Sequence, residues 1–128
     1  MSLMAIRLEL GRTAEFPEGN PSRGYEFIIP LNEKGQIDAA AWRTHKDRCR
    51  VRQFENDFVV RRGLVKHVGH GWRFDYLNGT REDDQPFFKL DRHVLASGRY
   101  VSLTEHDKVQ RPFKVVSVTP VPVEKEVQ

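Results

Sequence analysis

Trp72-Arg73-Phe74-Asp75-Tyr76 places a large aromatic at every second position, with a charge between each pair. In an extended chain successive side chains point to opposite faces, so the rings share one side of a strand and the charges the other. Rings repeated in this way need an apolar layer to pack against, which calls for a sheet with one buried face. The same period recurs elsewhere. Ile6, Leu8 and Leu10 alternate with Arg7 and Glu9, while Tyr25, Phe27, Ile29 and Leu31 share a face. Pro30 has no N–H to give to a ladder, which predicts an edge or a strand end at that point.

Turn chemistry separates the runs. Asn32-Glu33-Lys34-Gly35, Glu55-Asn56-Asp57, Gly69-His70-Gly71, Asn78-Gly79, Ser97-Gly98 and His106-Asp107-Lys108 read as turns, Glu82-Asp83-Asp84-Gln85-Pro86 as an acidic loop, and Gly19-Asn20-Pro21-Ser22 as a break. Between them the pattern predicts further strands over 49–53, 64–68, 72–77, 87–95, 100–105 and 113–119. One helix is expected from Asp38 to Arg48. Asp38 is a good N-cap, alanines follow, and Ile37 before the cap can pack on Trp42 in the first turn. The expected fold is mainly β, a small antiparallel β-barrel, partly or fully closed, with one short α-helix near residues 38–48. Its core should include Phe27, Ile29, Trp42, Val51, Trp72, Phe74, Tyr76, Leu103, Val116 and Val118.

With 128 residues the chain is expected to form one domain, and eight Phe, three Tyr and two Trp exclude a disordered segment. Met1-Ser2-Leu3 ahead of Met4 reads as an added start, 4–122 as the globular unit and 123–128 as a frayed tail. No apolar run is long enough to cross a bilayer and no signal-peptide core is present, so the expectation is a soluble, cytoplasmic protein with no membrane partner. The single cysteine, Cys49, excludes an internal disulfide and multi-cysteine zinc patterns. Gly98-Arg99-Tyr100-Val101-Ser102-Leu103 and Phe113-Lys114-Val115-Val116-Ser117-Val118, with Gly24-Tyr25-Glu26-Phe27-Ile28-Ile29-Pro30-Leu31 upstream, resemble small bacterial proteins of unassigned function. The resemblance rests on structural pattern and implies no catalytic residue and no ligand.

Few residues have the spacing that chemistry needs. There is no phosphate loop, no dinucleotide fingerprint and no nucleophile elbow. Cys49 lies between Arg48 and Arg50, yet strand alternation turns it toward the core, where a thiol is inert. His67 and His70 flank a hairpin tip, and Asp91 and His93 stand two apart on one strand. If the fold brought these four together they would suit a metal-dependent enzyme, the alternative reading. No cofactor is implied otherwise, and an enzyme is not the leading expectation.

Positive charge is the stronger signal, although the net charge is only +3. Arg43, Arg48, Arg50 and Arg52 lie within ten residues opposed only by Asp47, and Arg61 and Arg62 follow beyond Glu55 and Asp57. Extended from 48 to 52, the chain would project Arg48, Arg50 and Arg52 as a row spaced about 6 to 7 Å apart. Arginine favours bidentate contact with phosphate or carboxylate. The leading expectation is a binding module whose arginine-rich face takes an anionic partner, a nucleic acid held weakly or an acidic protein.

Overall fold

The computed structural model describes residues 2–68, 71–77, 85–87, 94–105 and 107–121. They form eight strands: β1 (Ser2–Leu10), β2 (Asn20–Leu31), β3 (Arg50–Glu55), β4 (Phe58–Val68), β5 (Gly71–Tyr76), β6 (Gln85–Phe87), β7 (Tyr100–Thr104) and β8 (Gln110–Pro120). All belong to one antiparallel sheet in the order β6-β5-β4-β3-β2-β1-β8-β7. The sheet curls until its end strands, β6 and β7, come alongside each other. The result is the partly closed barrel expected from the alternating runs, with one short α-helix among the described residues, α1 (Ala39–His45), that tightens into a 3-10 turn at Lys46–Arg48.

The core lies inside the curl. Ile6 and Leu8 from β1, Tyr25, Phe27 and Ile29 from β2, Trp72, Phe74 and Tyr76 from β5, and Phe113 and Val115 from β8 are all buried. Their rings interlock, with Tyr25 5.4 Å from Phe74 and 5.2 Å edge-on to Phe113 between centroids, spacings typical of favourable aromatic pairs. Asp38 caps α1 as its type predicts, its carboxylate accepting from the Ala41 N–H at 3.0 Å. The helix closes one end of the barrel. Trp42 donates its Nε1 to the Val65 carbonyl at 3.0 Å and meets Trp72 edge-on at 5.5 Å.

Several expectations change. β1 extends back from the alternating run at Ile6–Leu10 to Ser2, and its Leu3 pairs with Pro30 and packs on the core. β2 starts at Asn20 rather than after a break; a register shift against Glu9 and Leu10 absorbs the residues between Asn20 and Gly24. Pro30 is tolerated because β3 pairs with β2 only as far as Phe27, so the strand is locally an edge there. β4 starts at Phe58, which makes the Asn56-Asp57 turn, with φ of 51° and 66°, a tight hairpin loop. Val94 and Leu95, expected to end a strand, are not in one; Leu95 is buried on a loop, and its own N–H donates to the Gly35 carbonyl at 2.8 Å. Val116 is not core. β8 is bulged opposite the Arg7–Leu8 step, so Leu8 faces Val115 and Arg7 faces Ser117, and the inward phase slips by one residue. Trp42 and Val118 are partly buried and pack against the core rather than within it. The expected turns at 78–79 and 106 and the acidic residues 82–84 lie outside the described residues, as do residues 88–93 of the expected strand.

Candidate functional site

Because one alternate set of side chains on each strand fills the core, the other set must face outward. On β1 to β4 this outward set forms one continuous row across the sheet. Register makes Arg7 opposite Glu26, Glu26 opposite Arg52, and Arg52 opposite Arg62. Arg7 Nη1 donates to Glu26 Oε2 at 2.7 Å, and Arg52 Nε donates to Glu26 Oε1 at 2.6 Å. Arg7 also holds Glu9 at 2.9 Å and lies over the Phe54 ring at 4.2 Å. Burial alone would raise the Glu26 carboxyl, but hydrogen bonds and charge from Arg7 and Arg52 outweigh it and hold the group below its ordinary value.

This row lies along an open groove of about 710 Å³ on the outer wall of the barrel. Ala5, Ile28, Leu64 and Leu77 supply apolar lining, and Ser117 and Thr119 of β8 form another side. Its charged lining is Arg7, Arg50, Arg52 and Arg62 against Glu26 and Asp47, four positive groups to two negative. Among the described residues Arg50 and Arg62 make no salt bridge. Arg62 faces another arginine directly, an arrangement that is unfavourable without an anion to share.

The structure therefore divides the arginines that the sequence grouped. Arg50, Arg52 and Arg62 line the groove. Arg48 does not continue their row, because residues 46–48 turn in a 3-10 helix and β3 starts only at Arg50. Arg43 sits in the last turn of α1, away from the groove lining. Arg61, next in the chain to Arg62, points to the opposite side of the sheet, where its guanidinium lies 5.8 Å from the Tyr76 ring. Cys49 is buried, as the alternation required. Burial pushes its thiol up to about 12, against the opposing charge of Arg48. Of the four residues considered for a metal, only His67 lies among the described residues. It stacks on Trp72 at 4.3 Å with 17° between planes, in the cluster under the helix. His70, Asp91 and His93 lie outside them, and among the described residues no group of three or more His, Cys, Asp or Glu could hold a metal. No helix among them is long and apolar enough to cross a membrane.

One constellation was missed from the sequence. At the end of the barrel opposite the helix, Glu105 is buried and receives Tyr25 Oη at 2.5 Å, Arg23 Nη2 at 2.8 Å and Arg111 Nη1 at 2.8 Å. Arg111 also grips Asp107 through two hydrogen bonds of 3.0 and 2.8 Å. Gln53 is buried nearby in register, opposite Tyr25 on one side and Arg61 on the other. The available signal was phase. Arg23, Gln53, Arg61, Glu105 and Arg111 each stand two residues from an inward position: Tyr25, Val51, Gly63, Leu103 and Phe113 respectively. Comparison of the chain with protein families, curated proteins and solved structures returns no match, so the functional reading rests on this geometry.

Proposed function

We propose that this chain is a binding module whose outer groove takes an acidic, partly apolar segment of another protein. The observation that carries the reading is the Arg52–Arg62 pair, two guanidinium-bearing side chains directly opposite on neighbouring strands with only Glu26 shared among Arg7 and Arg52. A carboxylate laid across Arg62 and Arg50 would relieve that repulsion by bidentate hydrogen bonding. Ile28, Leu64 and Leu77 beside them suit apolar side chains of the same segment, the mixture of anchor and rim that protein interfaces use. A single-stranded nucleic acid is the weaker fit. Base stacking needs exposed rings, and the one aromatic lining the groove, Phe27, belongs to the buried face.

Fluorescence anisotropy tests this with two labelled probes, an acidic leucine-containing peptide and a short RNA, each at low and high salt. The peptide is expected to bind with a moderate salt dependence, and Arg50→Gln with Arg62→Gln to weaken it by roughly tenfold. Preferential RNA binding, with a log–log salt slope of about −0.7 per phosphate contacted, would move the partner to nucleic acid. Absence of binding by either probe at low salt would overturn the proposal.

A further inference from the structure

The end of the barrel away from the helix contains three side-chain atoms that the fold leaves unanswered. Gln53 is only 2% exposed, yet its Oε1 accepts no hydrogen bond among the described residues. Arg61 Nη1 and Arg23 Nε are equally shut off from solvent and donate to nothing among the described residues. Register gathers them on one inner surface. Gln53 pairs with Arg61 on β4 and with Tyr25 on β2, and Arg23 stands two residues before Tyr25. Buried polar atoms are rarely left without partners, and one acceptor with two donors on neighbouring strands of the same inner surface is a complementary set. Gln53 Oε1 and Arg61 Nη1 could have satisfied each other, yet they make no hydrogen bond.

Charge decides what kind of group completes the set. Arg23 and Arg111 share Glu105, and Arg111 also holds Asp107, with Glu15 at 4.0 Å, so both guanidiniums already face carboxylates. Arg61 faces none among the described residues; its contact is the Tyr76 ring. The missing group must offer oxygen acceptors to Arg61 and Arg23, carry negative charge toward Arg61, and give a hydrogen to Gln53. We infer that this end of the barrel binds a small oxyanion that carries its own O–H, hydrogen phosphate being the simplest. An oxyanion without an O–H, such as sulfate, would set an acceptor against the Gln53 oxygen and be disfavoured. This site is separate from the outer groove, since Arg61 and Arg62 face opposite sides of the sheet.

Calorimetric titration of the full chain at neutral pH and matched ionic strength tests the inference, with phosphate against sulfate and glycolate against acetate. Phosphate is expected to bind saturably and sulfate about tenfold more weakly or less, the usual penalty for facing a buried acceptor with no donor. Glycolate bound above acetate while phosphate matches sulfate would assign the same chemistry to a hydroxy acid. Gln53→Leu is expected to abolish the discrimination and Arg61→Gln to weaken every anion. Should Gln53→Leu fail to fold, the phosphate–sulfate and glycolate–acetate ratios of the unmodified protein decide the matter alone. Equal affinities within both pairs, or no saturable binding, would overturn the site and leave a bridging water as the occupant of the gap.

Discussion

Beneath the helix, His67 stacks on Trp72 and Trp42 meets both edge-on, a plug with centroids 4.3 to 6.0 Å apart, whereas at the other end Arg23, Tyr25 and Arg111 converge on the buried carboxylate of Glu105. Both ends close the same barrel, but by different physics. The first removes apolar and aromatic area from water, a non-directional gain that tolerates adjustment. The second depends on matched charges and hydrogen bonds in a low-dielectric setting, where every unmade contact is costly. An end closed by area has few polar atoms to offer a ligand. An end closed by pairing presents directional groups, and any that the fold leaves over are available for recognition.

The largest expected effect tests the apolar end. Trp72→Ala should lower unfolding free energy by about 4 kcal/mol in urea denaturation, because it removes a fully buried ring contacted by Trp42 and His67. A loss below about 1 kcal/mol would mean that the plug collapses freely and does not anchor the helix. Slightly smaller is the effect at the polar end. Glu105→Gln should cost about 3 kcal/mol, since Arg23 and Arg111 lose their shared counter-charge inside the barrel. If this substitution were neutral, the contrast between the ends would reduce to a difference of composition.

The third effect lies on the outer wall between them. Glu26→Gln should cost about 1 kcal/mol, as it weakens two partly buried pairs at once. Its pH dependence has a definite sign. The folded chain holds this carboxyl below its ordinary value of 4.5, so the stabilisation is complete above that range and is lost as pH falls through the folded value. Acid denaturation curves of the unmodified and Glu26→Gln proteins should therefore converge at low pH. The same variant frees Arg7 and Arg52, so the acidic peptide should bind it more tightly even though the fold is weaker. Weaker binding would show that Glu26 orients the arginines rather than competing with the ligand.

Much of the strand pattern could be read directly from residue spacing. Trp72, Phe74 and Tyr76 are buried together because alternation in an extended chain is set by local sterics, and the Asp38 cap and the Asn56-Asp57 turn follow from the chemistry of single side chains. The candidate sites were legible only in part. Composition pointed to the arginines, but adjacency in the chain joined Arg61 to Arg62, and the sheet places them on opposite faces. The polar end was marked by charged and amide residues at inward positions, yet nothing local says that Arg23 and Glu105, 82 residues apart, will meet.

What the sequence determined by itself is therefore the strand period, the helix start, the turns at 32–35, 55–57 and 97–98, and the buried aromatic face. Local sterics and short-range hydrogen bonds act within a few residues of each position and do not need the rest of the chain. The tertiary structure alone decided which charges pair, which atoms stay unanswered and where the phase slips, as at Val116. Those outcomes depend on strand order, register and a bulge, which arise when distant strands compete to bury their faces together.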